Sequence, residues 1–318
     1  MKAIVNEKYG TPDLLVLREV ERPEPKAGEV LVRVLAASVN KADWHLLSGS
    51  PFPVRLMAGL TKPKHPTLGA DVAGVVDRVG SGVTQFKPGD EVFGDLSASG
   101  FGGFAEFVTT QEKFLAKKPS NFTYEQSAAL PMASVTALQG LRDRGGIKEG
   151  DEVLINGASG GVGGFAIQIA KAMGANVTAV CSSGKVQLAK DQGADEVIDY
   201  TKEDFTKGQK KYDLIFDIVA NHGMSVISQV LKAGGRYVTC AFSMGVMFFG
   251  GFKSKVVGKK FTTLLASANQ ADLQFVGKLA EEGKLNPVIQ KAYTLDDVPE
   301  ALWTMGKGGT SGKLVVTI

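Results

Sequence analysis

The pattern of hydrophobic and polar positions changes twice along the chain. Up to about residue 122 it consists of short β-branched runs, such as Val30–Leu35 and Val72–Val76, which glycine and proline turns separate. Such runs are typical of short strands in a barrel-like or sandwich domain. Near the C-terminal end the pattern returns, because Leu295–Met305 has helical spacing and Gly312–Thr317 has the composition of a strand.

From about Ser120 onward, apolar strands alternate with segments of helical spacing. This alternation predicts a doubly wound parallel sheet with helices on its faces, and therefore an α/β chain. The predicted strands are Val153–Asn156, Val177–Cys181, Glu196–Asp199, Leu214–Val219 and Arg236–Ala241. The predicted helices are Val162–Met173, Lys185–Gln192, Met224–Leu231 and Asp272–Glu282.

The glycine-rich segment Asn156–Gly164 joins the first of these strands to the first helix. Glycine lets the backbone turn tightly and approach a pyrophosphate closely, and the N–H groups at a helix start bind phosphate oxygens. The order strand, glycine turn, helix therefore predicts a dinucleotide site. The expected contacts in the turn are Ala158, Ser159, Gly160, Gly161, Val162 and Gly163.

The second strand of this sheet is followed by Ser182, Ser183 and Lys185, without the acidic residue that usually binds the ribose of NAD. Two hydroxyls and a lysine suit the 2′-phosphate of NADPH, and Tyr200 is placed to cover the adenine or its phosphate. The sequence therefore favours NADPH over NADH. The alternative is that the serines cap the next helix and that Lys185 is a solvated surface charge.

Composition narrows the class of protein. The chain has 318 residues, 44% of them hydrophobic, which is enough for a complete core and for two domains. A net charge of +3 gives no strong attraction to nucleic acid. The two cysteines, Cys181 and Cys240, supply neither a four-thiolate zinc site nor a disulfide framework. Because Met1–Glu7 has no signal-peptide run and no stretch has membrane-spanning length, we expect a cytoplasmic protein.

Several segments in a fixed order carry a resemblance to a known family. They are Ala36–Trp44, Leu68–Gly74, Lys87–Phe93, the glycine turn with its helix, and the closing strand Gly312–Val316. Together they resemble the zinc-free branch of the medium-chain dehydrogenase/reductase superfamily, the quinone oxidoreductase-like proteins of the zeta-crystallin and chloroplast type.

That resemblance implies a two-domain architecture. It implies a GroES-like β-barrel catalytic domain formed by residues 1–122 and 264–318. It also implies an inserted Rossmann cofactor-binding domain, residues 123–263, with the active site in the cleft between the domains.

The resemblance also bears on metal binding, because the alcohol dehydrogenases of the superfamily hold catalytic zinc with a Cys, a His and a second Cys. Asn40 stands at the first of these positions, Ala70 stands at the second, and no cysteine lies near Ala133. The three histidines of the chain form no spaced ligand set. We therefore expect no metal site.

Without a metal to stabilise an alkoxide, hydride transfer to a quinone or to a double bond beside a carbonyl is the easier reaction. Hydrogen-bond donors suffice to stabilise the anion that results. Asn40, at the lost ligand position, is the first candidate donor, and the alternative is a turn residue. His45 stands where zeta-crystallin-type relatives have a tyrosine and is a candidate proton donor, the alternative being a half-exposed helix histidine.

Further residues are expected near the cofactor. Thr136 resembles the family threonine beside the nicotinamide, and the alternative is a helix hydroxyl bonded to a backbone carbonyl. The remaining expected cofactor contacts are Val219, at the end of the fourth strand, Phe242, Ser243 and Met244, after the fifth strand, and Lys313, in the closing strand.

These residues favour an NADPH-dependent reductase of quinones or enones that forms a homodimer. Two alternatives stay open: a non-catalytic NADPH-binding protein, and a zinc-free NADP-dependent alcohol dehydrogenase. The apolar segment Val246–Phe252, predicted as a loop, is a lid over an apolar pocket, a dimer contact or a contact with a membrane surface.

Overall fold

The computed structural model describes all 318 residues of the chain apart from the side chain of Met57. The chain forms two compact units. The first comprises Met1–Met132, Ala268–Gly283 and Pro287–Ile318, and the second comprises Ala133–Ser267 and Lys284–Asn286. The first unit therefore contains both ends of the chain.

The strands are numbered in chain order. The strands that precede the second unit are β1 (Lys2–Val5), β2 (Val16–Glu19), β3 (Glu29–Val39), β4 (Asp71–Val79), β5 (Glu91–Asp95), β6 (Phe107–Gln111) and β7 (Leu115–Lys117). Those of the second unit are β8 (Glu152–Asn156), β9 (Asn176–Cys181), β10 (Glu196–Asp199), β11 (Tyr212–Asp217), β12 (Leu231–Thr239) and β13 (Lys260–Thr263). The last strands, back in the first unit, are β14 (Ile289–Thr294) and β15 (Lys313–Thr317).

The helices follow the same numbering. They are α1 (Lys41–Ser48), α2 (Pro53–Ala58), α3 (Tyr124–Ala128), α4 (Pro131–Leu138) with a π-helical turn at Gln139–Arg144, α5 (Gly161–Ala172), α6 (Val186–Asp191), α7 (Met224–Val230), α8 (Met244–Val257), α9 (Gln270–Glu281) and α10 (Val298–Lys307). Within the described part of the chain, none of them is both long enough and apolar enough to cross a membrane.

The main sheet of the first unit has the strand order β14-β15-β3-β4-β5-β7, and β6 pairs with the first half of β3. Its neighbouring strands are antiparallel except β14 and β15, which run parallel. Alternate side chains of β3, Val30, Val32 and Val34, pack with Val72 and Val76 of β4 in one core cluster. The predicted β-rich N-terminal region, and the return of the chain's end to it, are confirmed.

The sheet of the second unit has the order β10-β9-β8-β11-β12-β13, and all neighbouring strands are parallel. The chain starts in the middle of this sheet at β8, winds outward to β10, and then crosses to β11 on the other side. Such a reversal places the ligand of a doubly wound sheet at the carboxyl ends of the central strands, here β8 and β11. The predicted α/β fold class is therefore confirmed.

Two predictions of local structure were wrong. The segment Val246–Phe252, predicted as a loop, lies inside the 14-residue helix α8. Glycines at Gly250 and Gly251 lower helix propensity and favoured the loop prediction. The structure uses Gly250 for close packing, since a Cβ there would lie 3.0 Å from the carbonyl oxygen of Phe261. Val219, predicted as the end of a strand, lies beyond β11.

Candidate active site

A network of buried polar side chains surrounds Asn40, between the end of β3 and the start of α1. Asn40 Nδ2 donates to Asp71 Oδ2 at 2.9 Å and, over a longer distance of 3.4 Å, to the carbonyl oxygen of Ser38. Asn40 Oδ1 accepts a hydrogen bond of 2.6 Å from the ammonium of Lys313. Every polar atom of this predicted donor therefore has a partner inside the first unit.

Sheet register brings the members of the network together. Ser38 of β3 stands opposite Asp71 of β4, and β15 lies on the other side of β3 with Leu314 opposite Val39. The Asp71 carboxylate accepts hydrogen bonds from the Ser38 hydroxyl at 2.8 Å and from the backbone N–H of Met132 at 2.9 Å. These donors hold the carboxylate in place.

Lys313 supplies the positive charge of the network. Its ammonium lies 3.3 Å from Asp71 Oδ2, and the two side chains are only 3% and 0% exposed. A buried ion pair is stable only when its remaining donors and acceptors are bonded, as they are here through Asn40 and Ser38. The sequence predicts Lys313 as a cofactor contact, whereas the structure directs its ammonium to Asn40 and Asp71.

Two further buried carboxyls border the network. Asp43 accepts the backbone N–H groups of Asn40 at 2.8 Å and Gly69 at 3.0 Å, which fixes the start of α1. Burial raises the pKa of Asp43 to about 7, against the lowering effect of these two hydrogen bonds. Burial and the neighbouring charge of Asp71 raise the pKa of Asp95, at the end of β5, to about 6. Neither Asp71 nor Asp95 is among the site residues predicted from the sequence.

His45 lies on α1, one turn after the network. Its Nδ1 is 2.7 Å from the carbonyl oxygen of Ser50, and the ring is half-buried. Because a carbonyl oxygen only accepts, this contact assigns the proton of the neutral ring to Nδ1. Nε2 then carries a proton only when the ring is charged.

The expected metal-ligand positions hold Asn40, inside the network, and Ala70, which is fully buried. Among the described residues, no three His, Cys, Asp or Glu side chains are grouped in a way that could hold a metal ion.

In the second unit, the predicted glycine turn lies at the carboxyl end of β8, and α5 begins at Gly161. A Cβ at Gly163 would lie 2.2 Å from the carbonyl oxygen of Gly157, so the turn packs against the helix too closely for a side chain. A Cβ at Gly160 would meet nothing nearer than that same oxygen at 3.9 Å. The turn thus leaves open space beside Gly160, above the N–H groups of the helix start, and its shape fits a pyrophosphate.

The other turn residues are arranged around this opening. Ala158 is fully buried and its N–H donates to the carbonyl oxygen of Val180. Ser159, Gly161 and Val162 are partly exposed at the helix start.

The region expected to bind the 2′-phosphate lies after β9. Tyr200 is 62% exposed, and its N–H donates to the carbonyl oxygen of Cys181, so its backbone lies beside the end of β9. Ser182 precedes a short 3₁₀ turn that contains Ser183 and Lys185. Burial lowers the pKa of the Lys185 ammonium.

An acidic residue does approach this region, from the neighbouring strand. Asp199 at the end of β10 pairs in register with Cys181, and its Oδ2 accepts the Ser183 hydroxyl at 2.5 Å. Hydrogen bonds from Ser183 and Thr201 hold the pKa of Asp199 at about 2, so it is ionised. The residues that follow β9 in the sequence do not reveal Asp199. Its charge opposes a phosphate at Ser183 and leaves Ser182 and Lys185 as the groups that suit one.

The carboxyl end of β11 carries a second residue that sequence analysis missed. The fully buried Asp217 accepts Asn156 Nδ2 at 2.8 Å, the Tyr237 hydroxyl at 2.9 Å, and the backbone N–H groups of Val219 and Ala220. Ala220 adopts a φ of 55°, which is unusual for a residue other than glycine. Asp217 thus fixes the backbone that presents Val219, which is 50% exposed, at the switch point of the sheet.

The remaining predicted residues also lie in the second unit. Thr136 is buried in α4, at 8% exposure. Phe242 and Met244 are more than half exposed, and Ser243 is the residue immediately before α8.

Two family descriptions match the chain. "Alcohol dehydrogenase GroES-like domain" matches residues 26–120, and "Zinc-binding dehydrogenase" matches residues 192–316.

Curated relatives match over nearly the whole chain. The 2-methylene-furan-3-one reductase of Solanum lycopersicum is 35% identical, with 99% of this chain and 79% of the relative covered. The NADPH-dependent alkenal/one oxidoreductase, chloroplastic, of Arabidopsis thaliana is 34% identical, with the same shares covered. Among solved structures, the quinone oxidoreductase from Coxiella burnetii has a TM-score of 0.88 at 31% identity and covers 100% of this chain and 99% of its own.

Proposed function

The chain belongs to the medium-chain dehydrogenase/reductase family, and on that basis we propose that it is a zinc-independent, NADPH-dependent reductase of quinones or α,β-unsaturated carbonyl compounds. The family membership rests on relatives that are more than 30% identical over nearly the entire chain. The two substrate classes are those in the names of similar proteins, a furanone reductase, an alkenal/one oxidoreductase and a quinone oxidoreductase.

The observation that carries the proposal is the buried contact between the Lys313 ammonium and Asn40 Oδ1, at 2.6 Å. Asn40 stands where the resemblance puts a zinc ligand, and Lys313 supplies a fixed positive charge beside it. The Lys313 ammonium would repel a metal ion bound at the same place. The ammonium also polarises the Asn40 amide, because hydrogen bonds in a chain strengthen one another, and this makes each Nδ2–H a better donor.

In the proposed reaction, bound NADPH supplies the hydride. The hydride is added to the β-carbon of the enone, and negative charge moves to the carbonyl oxygen. Of the two Nδ2–H groups of Asn40, one is held by Asp71 at 2.9 Å, and the other makes only the 3.4 Å contact to Ser38. The second is the group that we propose donates to the developing enolate oxygen.

His45 is the proposed proton donor to the enolate carbon. With Nδ1–H bonded to Ser50, Nε2 holds a transferable proton only in the charged ring. His45→Phe should therefore slow the reduction of enones, because it removes the ring that supplies the proton.

In the second unit, the turn from Ala158 to Gly163 is the proposed pyrophosphate site, Ser182 and Lys185 the proposed 2′-phosphate site, and Tyr200 the proposed cover of the adenine. Thr136, Val219, Phe242, Ser243 and Met244 are the proposed contacts of the nicotinamide half. The cationic Lys185 favours NADPH over NADH because it attracts the 2′-phosphate. The negative charge of Asp199 opposes that preference.

The proposal extends to compartment and assembly. Both cysteines are free thiols, which suits a reducing compartment such as the cytoplasm. The homodimer stays a prediction, and light scattering of the purified protein measures it.

Steady-state oxidation of NADPH over a panel of quinones, alkenals and alkenones, with a metal chelator present, tests the proposed function. We expect turnover with at least one acceptor class and no loss of rate in the chelator. NADPH binding without turnover on any acceptor would make the chain a non-catalytic binding protein. Loss of activity in the chelator, restored by zinc, would refute metal independence.

A further inference from the structure

Most of the exposed apolar surface of helix α8 takes no part in the proposed reaction or in the proposed cofactor contacts. Phe248, Phe249, Phe252 and Val256 are 66%, 63%, 72% and 64% exposed. We call these four side chains the α8 face. The helix is anchored to its unit on another side, where Val246 and Gly250 are buried.

The spacing of these residues makes the α8 face continuous. At 3.6 residues per turn, Phe248, Phe252 and Val256 follow one another along one side of the helix, and Phe249 lies beside them. The same geometry places Lys255 along one border of the face and Lys253 along the other. Lysines in such positions extend their ammonium groups outward while their stems lie on apolar surface.

The sequence that contains α8 is one-sided in charge. Between Ile218 and Ala271 the sequence contains six Lys and Arg residues and no Asp or Glu. The rest of the chain has 30 basic and 33 acidic side chains, so the positive net charge of the protein comes from this stretch. Two of these lysines, Lys259 and Lys260, directly follow the helix.

We propose that the α8 face docks on the surface of a membrane that carries anionic lipid headgroups. Exposed aromatic rings between bordering lysines are the features of a helix that lies in the headgroup region, with its rings in the acyl boundary. The ammonium groups of Lys253 and Lys255 are complementary to phosphate headgroups. Lys232 and Arg236 are paired with Asp213 and Asp151, so the two bordering lysines supply the charge of the face. A helix of 14 residues is too short to span the hydrocarbon layer and would lie along it.

The charge pattern argues against a second copy of the chain as the occupant. In a symmetric pair each patch meets itself, so the Lys253 and Lys255 of two copies would be brought together. No carboxylate in this stretch of the sequence is available to separate them. An anionic bilayer, by contrast, neutralises all of these lysines at once.

Co-sedimentation of the full-length protein with vesicles tests the docking. One set is phosphatidylcholine alone, and the other is phosphatidylcholine mixed with phosphatidylglycerol. We expect binding to the mixed vesicles that weakens with added salt. The double variant Phe248→Ser/Phe252→Ser and the double variant Lys253→Glu/Lys255→Glu should each lower the partition coefficient by about tenfold or more. Phe52→Ser, an equally exposed phenylalanine of the first unit, is the matched control and should bind as the wild type does.

Three results would overturn the docking. The first is no binding of the wild type to anionic vesicles. The second is an equal loss of binding in the Phe52→Ser control. The third is a wild type that does not bind vesicles and is a dimer by light scattering, while the Phe248→Ser/Phe252→Ser variant is a monomer. That result would identify the α8 face as a contact between copies. The lysine variant changes the exposed Lys255 and the half-buried Lys253, whose ammonium donates only to the Ser225 hydroxyl, so it tests the charge even if the phenylalanine variant folds poorly.

Discussion

Asn40 has its polar atoms bonded within the first unit, and the strengths of those bonds differ. The bonds to Lys313 and Asp71 are short, whereas the contact with the Ser38 carbonyl oxygen is 3.4 Å. An amide held firmly at two points and loosely at the third is positioned before the substrate arrives, and one N–H can be redirected at low cost.

Replacing Asn40 by Ala should therefore lower kcat by about 10- to 1000-fold with a smaller change in KM, because the bond is made mainly to the developing anion. The rate of hydride transfer in a single turnover measures this loss. Asn121→Ala is the control, since that amide binds a backbone carbonyl elsewhere in the same unit. Unchanged hydride transfer in Asn40→Ala would remove Asn40 from the reaction.

Lys313→Met should also reduce kcat, because it removes the charge that polarises the Asn40 amide. It is expected to destabilise the fold as well, by about 3–5 kcal/mol, since Asp71 would be left as a buried, unpaired carboxylate. A Lys313→Met protein with full activity would contradict the role of the ammonium.

Lys185→Ala should weaken NADPH binding by about tenfold and leave NADH binding unchanged, because only NADPH carries the 2′-phosphate. Asp199→Asn should act in the opposite direction and tighten NADPH. Titration calorimetry with both cofactors measures this, and Lys190→Ala, an exposed lysine of α6, is the control. Equal binding of NADPH and NADH by the wild type would refute the proposed phosphate site.

The sequence predicts Asn40 as a site residue from its position in a family pattern, but it does not reveal the hydrogen-bonding partners of Asn40. Asp71 and Lys313 lie 31 and 273 residues away from it in the chain. Only the register of β15, β3 and β4 brings them together. Asp199 was missed for the same reason, because it reaches the end of β9 from the adjacent strand.

At the scale of elements, two glycines of the turn between β8 and α5 are needed for different reasons, one for packing and one for ligand space. Gly163 has no room for a side chain, because its Cβ would lie 2.2 Å from one backbone oxygen and 2.6 Å from Ala158 Cα. Gly160 has room in the protein itself, so the space beside it is available to a ligand.

Gly160→Val should accordingly abolish NADPH binding while the melting temperature changes little. Gly163→Val should destabilise the protein itself, because the backbone of the turn must move. Thermal unfolding and a cofactor titration on the two variants separate the effects. Retained NADPH affinity in a folded Gly160→Val protein would place the pyrophosphate elsewhere.

Elements with strong periodicity were predicted well from the sequence, and α8 was not. The spacing of apolar residues located β8, β9, β10 and α5 within a few positions of their observed bounds. In α8 every position from Met244 to Phe252 is apolar or glycine, so no periodic contrast marks the helix. Its exposed side became visible only once the structure showed which residues pack against β13.

At the scale of the whole molecule, the buried carboxyls make stability depend on pH. The raised pKa values of Asp43, about 7, and Asp95, about 6, lie above those of unfolded aspartates, near 4. Between about pH 4 and pH 7 the folded state therefore binds more protons at these sites than the unfolded state does. Their contribution to stability falls as pH rises through that window.

Asp95→Asn should reduce this dependence, because the amide keeps an acceptor for the Ser97 N–H and carries no charge. The variant should be more stable than the wild type at about pH 8, by roughly 1–3 kcal/mol, and closer to it at about pH 5. Denaturant unfolding at the two pH values measures this, with Asp143→Asn, an exposed carboxylate, as control. An equal pH dependence in Asp95→Asn would show that Asp95 contributes nothing to it.

Central to this account is hydride transfer to a carbon–carbon double bond, directed by an amide and an ammonium in place of a metal. The most direct measurement follows deuterium from C4-deuterated NADPH into the product of a single turnover with an enone, in the presence of a chelator. We expect deuterium on the former β-carbon and an intact carbonyl group. Deuterium on a newly formed carbinol carbon would instead identify an alcohol dehydrogenase and contradict the proposed reaction.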